Sequence, residues 1–167
     1  MKVEHGFTLV ELMITIAIAA ILFGIAMPSL SDARQSTRAT SGIEQIQQDL
    51  LYSRQMATAY LNPVTICPIN EDNVCDGEWL NGYTVFIDED TDAQLDSTEE
   101  VLIRRGNFND DDFINGADFY RFSVDGFLSS DVNIRYCAES KNGAHKRQLD
   151  ISETGLIHKS NSAGNCS

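Results

Sequence analysis

Gly6-Phe7-Thr8-Leu9-Val10-Glu11 is the stretch that decides how this chain is read. Six residues, Met1–Gly6, precede an apolar run from Phe7 to Met27, and Glu11 is the only charge among its 21 residues. A carboxylate at the centre of a spanning helix costs roughly 2.5–3.5 kcal/mol, so Glu11 needs a compensating partner. A secretory signal has a basic start, an apolar core of about 7–15 residues and a small-residue cleavage site after that core. Here the processing site precedes the run, and the run reaches the ~20 residues that cross a bilayer. Without Glu11 a plain anchor would suffice.

The string Gly6 to Glu11 resembles the processing site of type IV prepilins and type II secretion pseudopilins. The resemblance implies cleavage after Gly6 by a prepilin peptidase and N-methylation of the new terminus, Phe7. It also implies that Glu11 pairs with the N-terminal amine of a neighbouring subunit. A buried carboxylate is tolerable when it meets an opposite charge.

Beyond this segment the chain is long enough to bury a core of its own. Charge is unevenly spread: residues 1–68 carry 5 acids and 4 bases, 69–131 carry 17 and 3, and 132–167 carry 3 and 5, which gives −13 in all. The acidic middle repels nucleic-acid phosphates over a Debye length of ~8–10 Å. Cys67, Cys75, Cys137 and Cys166 all follow the apolar run, on the side that a pilin-like protein exposes to an oxidising compartment. Four cysteines allow three pairings; we favour Cys67–Cys75, closing a short loop, and Cys137–Cys166, pinning the tail. No Cys-x-x-Cys or nearby histidine supports zinc.

Pro28, with Gly24 before it, predicts a kink at residues 24–28. Residues 29–61 then read as an amphipathic continuation: Ile43, Ile46, Leu50, Ala57 and Leu61 form one apolar stripe, and Asn62-Pro63 ends the helix. Expected strands are Val64–Cys67, Gly82–Ile87, Val101–Arg104, Phe119–Val124, Val132–Cys137, Gln148–Ile151 and Leu156–His158, bounded by Gly, Asn, Asp and Ser. The organisation is therefore a leader (1–6), a membrane-spanning assembly helix (7–28), its amphipathic continuation (29–61) and a β-rich domain (62–167). Its class is α+β, a long helix packed on an antiparallel sheet. Val64-Thr65-Ile66-Cys67-Pro68, Cys75, Trp79, Gly82 to Asp88 and Ile151-Ser152-Glu153-Thr154-Gly155 narrow the resemblance to the GspH/FimT/FimU group of minor pilins and pseudopilins.

Three further patterns involve charged residues. Asp88, Asp90, Asp92, Asp96 and Glu99 occupy positions 1, 3, 5, 9 and 12 of a calcium-loop spacing, but Ala93 replaces the glycine of position 6 and a strand precedes the loop. Asp110-Asp111-Asp112 lacks that alternation and reads as a solvated turn. Lys141, Lys146, Arg147 and Lys159 form a small basic patch for which DNA is the alternative partner. FimT-like members bind DNA through Gly-Arg-x-Arg, and the corresponding Gly155-Leu156-Ile157-His158 lacks both arginines. No nucleophile motif accompanies the histidines, so no enzyme is expected and no cofactor is required beyond the candidate calcium. The expected protein is a fibre subunit of a type IV pilus or type II secretion pseudopilus. Its partners would be other pilin-like subunits, the processing peptidase and the inner membrane, where it would sit as a single-pass protein before incorporation.

Overall fold

The computed structural model describes residues 7–160 and 164–166, with the side chains of 23–29 outside the description. The leader and Gly6 therefore lie outside the described residues. Two compact units divide between Gln35 and Ser36.

The first unit holds the start of helix α1 (Leu9–Tyr60). Thr8 caps it: the Glu11 amide donates to Thr8 Oγ1 at 3.2 Å, and Thr8-x-x-Glu11 has the spacing of a capping box. Residues 24–28 are helical throughout, so Pro28 does not end the element. One expectation is overturned here. Among the described residues no helix is long and apolar enough to cross a membrane. The membrane-spanning helix over 7–28 and the single-pass inner-membrane placement are corrected accordingly.

In the second unit α1 supplies one face of the core. Ile43, Ile46, Leu50 and Ala57 are fully buried. Ser53 completes the same stripe, its hydroxyl donating to the Asp49 carbonyl at 2.7 Å so that burial leaves it satisfied. Leu61 departs from the expected stripe and is 73% exposed, because the helix has ended and its backbone turns left-handed (φ 55°).

The strands are β1 (Val64–Cys67), β2 (Thr84–Ile87), β3 (Val101–Arg104), β4 (Phe113–Asn115), β5 (Tyr120–Phe122), β6 (Val132–Cys137), β7 (Lys146–Ile151) and β8 (Ile157–Ser160). They form two antiparallel sheets, ordered β3-β2-β1-β5 and β4-β6-β7-β8, where one sheet was expected. One strand, β4, at the edge of the second sheet, is absent from the expected set. It directly follows Asp110-Asp111-Asp112, and the acidic run conceals it.

Both β1 and β2 are buried along their whole length. Val64, Ile66, Val85 and Ile87 share one core cluster with the buried residues of α1, while Cys67 and Phe86 pack with Cys75, Ala93 and Leu95. Burial on both faces explains why Val64-Thr65-Ile66-Cys67 lacks a strict alternation of apolar and polar residues. A seam of aromatic rings joins the sheets. Trp79 lies 5.5 Å from both Tyr83 and Tyr120, Tyr83 lies 6.1 Å from Phe108, and Phe108 lies 5.7 Å from Tyr136. From β5, the Tyr120 hydroxyl donates to the Asn133 carbonyl in β6 at 2.9 Å. Gly42 lets α1 approach this seam, since a Cβ there would stand 2.4 Å from the Tyr136 ring.

Candidate functional site

Three regions bear on function. The first is the N-terminal helical segment. Phe7 is 81% exposed, and Leu9, Val10, Leu12, Met13, Ile14, Ile16, Ile18, Ile21 and Leu22 are all more than half exposed. A contiguous apolar surface of this kind marks an interaction site. Glu11 is exposed among these side chains, in the first helical turn. There a carboxylate is favoured by the unpaired amides of the helix start.

The second region is the loop between β2 and β3. Asp88 is fully buried. Its Oδ2 accepts from Thr65 Oγ1 at 2.5 Å and from Arg121 Nε at 2.9 Å, with Arg121 Nη2 at 2.8 Å. Among the described residues its Oδ1 has no hydrogen-bond donor. Downstream, Asp90 Oδ1 accepts from the Asp92 amide and Asp92 Oδ1 from the Gln94 amide, while Thr91 and Ala93 adopt left-handed backbone. Glu99 folds back across the loop, its two oxygens accepting from the Glu89 amide at 3.0 Å and the Asp96 amide at 3.1 Å. Burial raises the Glu99 pKa, and the neighbouring Asp88 and Asp90 add to the rise against the lowering effect of those amides. Of the five acids in the spacing pattern, the fold gathers Asp88, Asp90 and Glu99, with ligand oxygens within 4.8 Å of one another. This cluster could hold a metal ion. Asp92 and Asp96 are not part of it, and both are exposed.

The loop is tied to its neighbour. The Cys75 amide donates to the Ala93 carbonyl at 3.0 Å and the Leu95 amide to the Asn73 carbonyl at 2.9 Å, around a Val74–Gln94 bridge. The structure joins Cys67 to Cys75 and Cys137 to Cys166.

The third region is the basic patch, whose members the fold occupies separately. Lys159 Nζ contacts Glu44 Oε1 at 2.6 Å, and Lys146 Nζ donates to Asn165 Oδ1 at 3.0 Å. Arg147 donates to Thr40 and Ser36 hydroxyls on α1 at 3.2 Å each. Lys141 stands 5.2 Å over the Phe113 ring.

Sequence reasoning missed two further buried carboxylates. Asp49 on α1 receives Arg105 through both oxygens at 2.7 Å and the Tyr83 hydroxyl at 2.7 Å. Burial, then the Asp49 carboxylate, push the Tyr83 pKa well above the usual phenol value, and Asp49 likewise raises that of Arg105. Asp112, expected in a solvated turn, is fully buried. It accepts from the Tyr136 hydroxyl at 2.6 Å and the Glu139 amide at 3.0 Å, with Arg38 Nε at 3.0 Å. Asp49 carried a signal: it stands three residues after Ile46 and beside Leu50, on the apolar face of the helix.

Residues 42–155, more than half of the chain, match the family model of the type II transport protein GspH. The chain belongs to the GspH family. Residues 1–27 also match the prokaryotic N-terminal methylation motif. Two fimbrial proteins of Pseudomonas aeruginosa are 44% identical over 46 residues, 28% of this chain and 30% of theirs. The match thus spans less than a third of those relatives. The fold of this GspH-family chain is shared with the type IV minor pilin FimU of Pseudomonas aeruginosa (TM-score 0.60, 17% identity, 78% of this chain and 96% of that one). It is shared also with the minor pseudopilin EpsH of the Vibrio cholerae type 2 secretion system (TM-score 0.54, 8% identity, 73% and 95%). The family is therefore that of the type II transport protein GspH, and the fold is one shared with a minor pilin and a minor pseudopilin.

Proposed function

We propose that this chain is a non-enzymatic fibre subunit, a minor pilin of a type IV pilus or a minor pseudopilin of a type II secretion system. What carries this reading is the exposed apolar segment Phe7–Leu22 preceding a GspH-family domain. In a fibre that segment is covered by the equivalent helices of other pilin-like subunits, and burial of its side chains drives assembly. Cleavage after Gly6 by a prepilin peptidase frees the Phe7 amine for methylation. Glu11 of one subunit then neutralises the Phe7 ammonium of the next, which fixes the axial stagger between them.

Two substitutions test this in cells that carry the processing peptidase and the fibre machinery. Gly6→Ala leaves an unprocessed precursor, whereas a mature-sized, methylated product by mass spectrometry overturns the cleavage assignment. Glu11→Val is still cleaved but recovered in sheared fibres at a small fraction of the wild-type amount; wild-type recovery overturns the pairing role.

The acidic loop supports a second, compatible reading. Its donors are carboxylates alone, the hard oxygen ligands that calcium takes. Calcium at this loop would be a structural ion of the subunit.

A further inference from the structure

We propose that the β2–β3 loop binds one calcium ion through Asp88 Oδ1, Asp90 and Glu99, and that the ion fastens this loop to the disulfide loop 67–75. The inference rests on the calcium reading above and names its ligands and its consequence.

Asp88 carries the argument. The residue is fully buried, and Thr65 Oγ1 and Arg121 Nε both donate to one oxygen, Oδ2, with the Arg121 Nη2 ion-pair contact at 2.8 Å on the same atom. The other oxygen, Oδ1, has no donor among the described residues. Buried carboxylate oxygens are almost always satisfied. Oδ2 being occupied, Oδ1 is the atom that Asp88 can present to Asp90 and Glu99, whose ligand oxygens lie within 4.8 Å. A cation at that point supplies the interaction that protein donors do not.

Charge fits a divalent ion. Three carboxylates less the Arg121 guanidinium leave two negative charges around the point of convergence. The donor set also excludes soft metals, since the nearby Cys67 and Cys75 are joined as a disulfide. The departure at Ala93 loses its force in three dimensions. Its φ of 64° is the left-handed conformation for which a calcium loop ordinarily uses glycine. Immediately beside it, the Ala93 carbonyl and the Leu95 amide hold Cys75 and Asn73. An ion that fixes residues 88–99 thereby also fixes residues 73–75.

The test uses the full chain in mild detergent, titrated calorimetrically with calcium chloride and, separately, magnesium chloride. One saturable calcium site is expected, with magnesium at least tenfold weaker. At a calcium concentration about 100-fold above Kd, the melting temperature rises by about 5–10 °C over that in EGTA. Asp90→Asn weakens calcium at least tenfold without lowering the EGTA melting temperature. Asparagine keeps the acceptor for the Asp92 amide, so folding is not at issue. Asp110→Asn, outside the cluster, binds as wild type does.

If wild type shows neither heat nor a melting shift at about 10 mM calcium, both this assignment and the calcium reading fail. If wild type binds but Asp90→Asn binds equally well, the ligand set fails and calcium sits elsewhere. The fastening is read by hydrogen exchange: calcium slows the amides of Cys75 and Leu95 together. Protection confined to residues 88–92 overturns it.

Discussion

Among the described residues the buried carboxylates are Asp49, Asp88 and Asp112, and each meets an arginine and a hydroxyl. The arginines are unequally placed, and that sets the direction of a mutational test. Arg105 is 40% exposed at its side chain while Asp49 is 4% exposed. Removing the arginine leaves a buried charge unpaired; removing the carboxylate leaves a guanidinium that can reach water. We expect Arg105→Met to cost about 3 kcal/mol and Asp49→Asn appreciably less, measured by urea unfolding of the full chain near neutral pH. Equal losses would mean that Arg105 does not serve to neutralise Asp49. These pairings were invisible in the sequence for a physical reason. Whether an aspartate in an acidic stretch is solvated or buried depends on an arginine delivered by another element, and charge composition says nothing of that delivery.

At the level of elements, α1 is held to both sheets by side chains that reach backbone. Arg54 donates Nε to the Gly126 carbonyl at 3.1 Å and Nη2 to the Thr154 carbonyl at 3.0 Å, bringing two turns together under one guanidinium. Gly155 stands in that crossing with φ 72°, and a Cβ there would lie 2.3 Å from the Gly126 oxygen. Gly155→Ala should cost about 2 kcal/mol or more in urea unfolding, since both the backbone conformation and the space are refused. Gly106→Ala, where nothing lies within 4 Å, should change little. The helix stripe and the strands with clean flanking turns were legible, since periodicity and turn chemistry are local. The short β4 was not: it is specified by its pairing with β6 across Ile114 and Tyr136, a non-local contact. The calcium-loop spacing was legible as five acids. The fold gathers three of them, because Glu99 returns across the loop while Asp92 and Asp96 turn to solvent.

For the whole molecule, the tyrosines of the aromatic seam set its response to alkali. Burial is the leading cause of the raised pKa of Tyr83, Tyr120 and Tyr136, with the Asp49 and Asp112 carboxylates adding to it for Tyr83 and Tyr136. In the unfolded chain these phenols lose their protons near pH 10. A folded-state value above the unfolded one means that native protein retains protons that the unfolded chain has released. Their stability contribution is complete below about pH 10 and falls as pH rises beyond it. Thermal melts between about pH 9 and pH 11.5 should show a steep decline, with phenolate absorbance of the native protein lagging that of urea-unfolded protein. Coincident absorbance titrations would remove the seam from the account. At this scale too the sequence was read too generously in one respect. An apolar run of 21 residues implied a spanning helix, whereas among the described residues no helix is long and apolar enough to cross a membrane.

The Thr65–Asp88–Arg121 contact has a consequence for how the chain finds its own pairing. Thr65 stands directly opposite Arg121 across β1 and β5, and Asp88 follows the last residue of β2, Ile87, which pairs with Val64. A slip of β5 by one position would swing its guanidinium to the opposite face and maroon an anion in the interior. Misaligned arrangements are penalised by that anion far more than the correct one is rewarded, so the triad works as a proofreader of strand alignment.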